Sequence, residues 1–141
     1  MLFKDVLALE NREYSIGELS SWYDVTLRTI RYYEQVGLIA PEKKNPVQRV
    51  FRKADVLRLD FIIRSRSVGL TIKQIQSLVR LMDRGDDAGF QTTLKETLKQ
   101  RQDEIEYERQ TVEKQQADVE DWLTSLSPAN THCLMDQVGT R

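Results

Sequence analysis

Thr26-Leu27-Arg28-Thr29-Ile30-Arg31-Tyr32-Tyr33-Glu34-Gln35-Val36 is the stretch on which the reading of this chain turns. At about 100° per residue, Arg28, Arg31, Tyr32 and Gln35 fall within an arc of about 100° on a helix, with Thr29, Ile30 and Tyr33 on the other side. One face is apolar enough to dock on a domain. The other carries two guanidiniums, a phenol and an amide, the groups that reach phosphates and base edges. Thr26 suits an N-cap and Gly37 the position just past the helix end. The same pattern also fits a solvated amphipathic helix, so the flanking segments decide.

Upstream, Ser15 followed three residues later by Glu18 is a capping box that opens a helix, with Ile16, Leu19 and Trp22 as its buried face. Asp24 then occupies a turn where a left-handed backbone is needed, which Asp tolerates better than most residues. Val25 plugs the core. Two short helices joined by a tight turn, the second polar on its outside, read as a helix-turn-helix. Downstream, Pro46 prevents residues 42–52 from being helical throughout. Asn45-Pro46 favours a turn, and Val47, Val50 and Phe51 favour extended chain. The segment reads as a small hairpin, or wing, carrying Lys43, Lys44, Arg49 and Arg52; the alternative is a solvated basic loop. Lys53 to Val68 and a helix capped by Thr71 follow, with Ile72, Ile75, Leu78, Val79 and Met82 as core.

Charge is distributed unevenly. The chain of 141 residues has a net charge of −1, but residues 25–80 hold 12 basic and 4 acidic side chains, net +8, between flanks of −3 and −6. A basic segment between acidic flanks is an electrostatic footprint for a polyanion. The length suits one compact domain, or a small domain with an extension. The single cysteine, Cys133, allows no intrachain disulfide and points to a reducing, cytoplasmic compartment. No apolar run approaches the roughly 20 residues of a membrane span. The one histidine, His132, lies in the tail, and the sequence shows no carboxylate pair or nucleophile constellation, so an enzyme is not expected, nor any cofactor or metal site.

From Phe90 to Leu126 there is neither Gly nor Pro, and a helix of about 55 Å is expected. Leu98, Ile105, Val112, Val119 and Leu126 recur every seven residues. The companion seam, Leu94, Arg101, Glu108, Gln115 and Trp122, is apolar only at its ends. Such a stripe on a charged helix calls for a second copy of itself, so a homodimer is expected through Leu94, Leu98, Ile105, Val112, Val119, Trp122 and Leu126. A helix folded back on its own domain is the alternative. The expected organisation is an ill-defined extension at 1–13, a winged helix-turn-helix at 14–82, a linker at 83–89, a dimerisation helix at 90–127 and a flexible tail at 128–141. The fold class is thus mostly α.

Tyr14-Ser15-Ile16-Gly17-Glu18-Leu19, Arg28 to Glu34, Gly37-Leu38, Arg49-Val50-Phe51 and Gly69-Leu70-Thr71-Ile72 together resemble the MerR family of bacterial transcription regulators. The resemblance covers about residues 14–82. It implies antiparallel pairing of the long helices and a twofold dimer on a pseudo-palindrome in double-stranded promoter DNA. It also implies action beside RNA polymerase, with the effector-bound dimer bending and underwinding the DNA at a deformation energy of about a few kcal/mol. The implied DNA face comprises Tyr14, Thr26, Leu27, Arg28, Arg31, Tyr32, Lys43, Lys44, Arg49 and Arg52. Within it Arg28 meets base edges, Tyr32 the backbone, and Arg49 phosphate or the minor groove, with Tyr14 and Thr26 at helix starts. Two departures stand out: the wing's usual Gly-Tyr-Arg is Val47-Gln48-Arg49, and the usual turn glycine is Asp24.

The effector is not legible. Metal-sensing members carry two or more cysteines after the dimerisation helix, where this chain has only Cys133 beside His132. Two subunits could supply two His and two Cys between them. The Gly85–Gly89 linker and the Glu/Arg/Gln-rich helix are similar to a branch linked to branched-chain acid catabolism. The competing reading of the whole chain is a coiled-coil interaction module whose basic segment binds an acidic protein partner.

Overall fold

The computed structural model describes residues 3–139. They form α1 (Phe3–Leu7), β1 (Tyr14–Ser15), α2 (Ile16–Tyr23), α3 (Leu27–Gln35), β2 (Glu42–Lys43), β3 (Arg49–Phe51), α4 (Lys53–Ser67), α5 (Ile72–Asp83), α6 (Asp87–Ser125) and α7 (Pro128–Gly139). The chain divides into two compact units, Met1–Leu98 and Lys99–Arg141.

In the first unit, local chemistry sets most element boundaries. Ser15 Oγ accepts from Glu18 N at 3.1 Å and Glu18 Oε2 accepts from Ser15 N at 3.3 Å, which closes the capping box of α2. Asp24 ends α2 with φ 50 and ψ 46, the left-handed conformation that the turn demands. Thr26 Oγ1 accepts from Thr29 N at 3.1 Å and starts α3. Thr71 and Gln74 repeat the capping box at the start of α5.

The wing is present as the expected antiparallel pair, but β3 lies at the centre of a three-stranded sheet in the order β1-β3-β2. Tyr14 pairs with Phe51 on one side, and Glu42 pairs with Val50 and Lys43 with Arg49 on the other. At its tip Asn45 Oδ1 accepts from both Val47 N (3.0 Å) and Gln48 N (2.8 Å). This Asx-type turn does the work expected of glycine, and Val47 keeps an ordinary backbone.

Beneath the sheet and α3 lies one core that includes Leu19, Ile30, Leu38, Phe51, Leu59 and Ile62, all fully buried. Val6 joins it. The N-terminal segment is therefore not an ill-defined extension: α1 inserts Val6 against this core, and Tyr14 Oη donates to Glu10 O at 2.6 Å. The linker is also shorter than expected, only 84–86 lying between α5 and α6. Gly89 stands inside the first turn of α6, where a Cβ would collide with the Asp86 carboxylate that accepts from its N–H at 2.9 Å. Phe90 stacks on Phe61 with ring centroids 5.5 Å apart.

Asp60 is the one charged side chain buried in this core among the described residues. Its carboxylate accepts from Tyr23 Oη at 3.1 Å and from Arg64 Nε at 2.8 Å. Burial, and then the nearby Asp60 charge, push the Tyr23 phenol well above its ordinary value, so it stays a donor. A raised folded-state value adds stability that is complete below the unfolded phenol's pKa of about 10 and is lost as pH rises beyond it. Alkaline unfolding should therefore begin near pH 10 and be blunted in Tyr23→Phe, as followed by thermal melts between about pH 8 and 12.

In the second unit, the rest of α6 carries a charged surface with ion pairs such as Arg101–Glu108 (2.9 Å) and Arg109–Glu106 (2.9 Å). Ile105, Val112, Val119 and Leu126 are 45–59% exposed in the single chain, and Trp122 is 66% exposed. The segment expected to be a flexible tail is instead helical. Ser127 Oγ accepts from Asn130 N at 3.2 Å, and Pro128 opens α7. Ser127-Pro128 ends one helix and serves equally as an N-cap followed by the first position of the next.

Candidate nucleic-acid interface

Ile30 and Tyr33 are buried and fix α3 to the core, leaving Arg28, Arg31, Tyr32 and Gln35 exposed on the outer side. Among the described residues, neither the Arg28 nor the Arg31 side chain makes a hydrogen bond or an ion pair within the chain. Both guanidiniums therefore retain all their donors. Tyr32 leans on Tyr33, ring centroids 6.1 Å apart, and is 44% exposed. Burial raises the Tyr33 phenol above its ordinary value, so the inner ring stays neutral. Leu27 is exposed at the first turn, and Thr26 spends its hydroxyl on capping and on Thr29 Oγ1 at 2.9 Å.

The wing behaves differently. Lys44 Nζ lies 2.8 Å from Glu13 Oε2, Arg52 Nη2 2.8 Å from Glu42 Oε2, and Lys43 Nζ 3.8 Å from Glu34 Oε1. Arg49 Nε donates to both oxygens of Glu34 at 3.1 Å, and its Nη1 donates to Pro46 O at 3.0 Å. The hydrogen bond from Lys44 holds the Glu13 carboxyl below its usual range, and the bond that Arg52 donates to Glu42 raises the guanidinium further. Each basic group of the wing thus carries a carboxylate neighbour. The bare positive charge sits on α3.

Two expected site residues are engaged within the chain. The Tyr14 side chain is only 2% exposed: its pairing with Phe51 turns the ring inward, edge-on to Trp22 at 5.4 Å and beneath the Arg12 guanidinium at 4.0 Å. Its ring belongs to the core, and its backbone leads directly into the start of α2. Arg49 donates its Nε to Glu34 and its Nη1 to Pro46 O, and its side chain is 19% exposed. Of the expected dimer seam, Leu94 packs on the core of its own unit beside Phe90, and Leu98 to Leu126 remain exposed. Glu13 and Glu34 were not singled out as site residues. Their partners lie 31 and 15 residues away, beyond any helical or strand period. Cys133 is exposed on α7, with His132 Nε2 3.4 Å from Asp136 Oδ2. Among the described residues no three His, Cys, Asp or Glu side chains converge as metal ligands would, and no helix is long and apolar enough to cross a membrane.

A helix-turn-helix with a three-stranded wing and a bare basic outer helix defines the class. Comparison with known sequences places it further. The family model described as "MerR HTH family regulatory protein" matches residues 14–81, and the one described as "MerR, DNA binding" matches residues 56–122. The Heavy metal-dependent transcription regulator 1 of Rhizobium meliloti is 30% identical over 123 residues, covering 84% of this chain and 76% of that protein. The chain belongs to the MerR family. The Mercuric resistance operon regulatory protein of Bacillus cereus is 39% identical over 75 residues, 52% of this chain and 57% of that relative. The chain thus spans about half the length of most of the curated relatives it matches. A crystal structure of a MerR family transcriptional regulator from Bacillus cereus shares the fold, with a TM-score of 0.63 at 18% identity over 89% of this chain and 95% of that one.

Proposed function

We propose that this protein is a sequence-specific transcription regulator that acts as a homodimer on double-stranded promoter DNA beside RNA polymerase. The carrying observation is the outer face of α3, where Arg28, Arg31 and Tyr32 stand exposed and unspent on a helix locked down by Ile30 and Tyr33. In this reading Arg28 contacts base edges and Tyr32 the backbone, with Lys44 and Arg52 exchanging exposed carboxylate partners for phosphates. The exposed stripe from Leu98 to Leu126 is covered by the same stripe of a second copy. The protein works in the cytoplasm and catalyses no reaction. Two relatives are named for mercury and heavy metals. An effector that shifts the DNA-distorting state belongs to this reading, and a thermal-shift screen of metals, oxidants and acyl-coenzyme A thioesters identifies it.

Retention of a duplex from upstream of its own gene is the direct test. Affinity should fall steeply as salt rises, in proportion to the phosphates neutralised, and no retention at low salt defeats the reading. Arg28→Ala should reduce discrimination among base pairs by about 1–3 kcal/mol, whereas Tyr32→Phe should weaken binding to all sequences alike. A reversed pattern in competition binding would exchange the two roles.

A further inference from the structure

We propose that Glu34 and Arg49 form a positioning pair that sets the wing against the recognition helix, so that Arg49 governs which DNA is accepted without touching phosphate. The inference rests on the DNA-binding reading and assigns a role inside that site. Three observations carry it.

Arg49 joins three segments. Its Nε is shared between both Glu34 oxygens at 3.1 Å, which ties β3 to the end of α3, and its Nη1 holds Pro46 O at 3.0 Å, which ties in the wing tip. Burial separates this pair from its neighbours. The Arg49 and Glu34 side chains are 19% and 20% exposed, against 60% for Arg52 paired with Glu42. A half-dehydrated pair is screened less by salt, and moving Arg49 to a phosphate would leave Glu34 short of its closest partner beside a polyanion.

Glu34 also occupies an electrostatically poor position. It lies in the last turn of α3, where the helix dipole disfavours a carboxylate, and on an element that meets negative charge. The sheet supplies the compensation. Lys43 and Arg49 are direct cross-strand neighbours, a like-charge juxtaposition that opposes pairing of β2 with β3. Both converge on Glu34, at 3.8 Å and 3.1 Å. One carboxylate thereby neutralises the cross-strand repulsion and fixes the distance from the wing bases to Arg28 and Arg31. That distance selects the phosphate spacing the domain accepts.

The test is a double-mutant cycle in the full chain, with Glu34→Gln, Arg49→Gln and both together. Binding to a fluorescein-labelled duplex from upstream of the gene is followed across salt, and amide hydrogen exchange is followed over residues 44–50. Each single change should weaken binding about tenfold, and the double should be no worse than either, as for two members of one interaction. The slope of log affinity against log salt should stay within about 0.3 of wild type in Arg49→Gln, and wing exchange should quicken in all three variants. A slope reduced by about 0.9 in Arg49→Gln, additive losses, or unchanged exchange overturns the proposal. A wild-type chain that fails to hold the duplex at low salt overturns the DNA-binding reading along with it. That result is separable from failure of the pair alone, in which wild type binds and the slope drops.

Discussion

Replacing Ile105 and Val112 together with Asp is expected to convert the protein to monomers and to weaken operator binding by about two orders of magnitude or more. Both side chains are exposed in the single chain, at 45% and 59%, on a stripe that repeats every seven residues. Covering a large aliphatic side chain contributes about 1.5–3 kcal/mol, and two copies supply each stripe position twice. Four aspartates in the seam remove that gain and place like charges against one another without water. In the proposed dimer each half reads only a few base pairs, so loss of pairing forfeits the effective concentration that joins two weak contacts. Light scattering and salt-matched DNA titration check both consequences. A variant that remains dimeric would show that the stripe is not the interface.

Phe51→Ala should act through the fold. Phe51 is fully buried on the central strand, opposite Tyr14 and within the core that supports α3. Truncating a buried phenylalanine costs about 3–5 kcal/mol, a large share of the roughly 5–15 kcal/mol that holds a domain together. For a unit of this size the melting temperature should fall on the order of 20 °C. Calorimetry separates this from the interface variants, since Arg28→Ala removes an exposed side chain without internal bonds and should melt within a degree or two of wild type. A Phe51→Ala protein that melts like wild type would contradict the placement of the core.

The parts that were legible in the sequence are those whose cause is local. Ser15 and Glu18, Asp24 and Thr26 each act within three residues, so the two helices and the turn between them could be written down beforehand. The seven-residue stripe is likewise a property of one helix. What escaped depends on partners distant in the chain. Val6 has no local reason to be ordered and is held by the core it enters. Tyr14 faces inward only because β1 pairs with β3, a contact across 37 residues. Asp60 carries no local mark in the sequence that separates it from a solvated carboxylate. Its spacing to Arg64 shows half of the buried network, but Tyr23 cannot be inferred from it. At Ser127-Pro128 and Gly89 the local signals were present but ambiguous, since each residue type serves at both a helix start and a break.

The pairing in the wing bears on how the protein behaves among the many polyanions of a cell. In the proposed mode of binding, Lys44 and Arg52 approach DNA already accompanied by Glu13 and Glu42. Engagement is therefore an exchange of one anion for another, with little net gain unless a phosphate arrives where the carboxylate was. Stray nucleic acid of the wrong geometry finds these lysine and arginine groups nearly discharged. The wing in effect carries its own counterions.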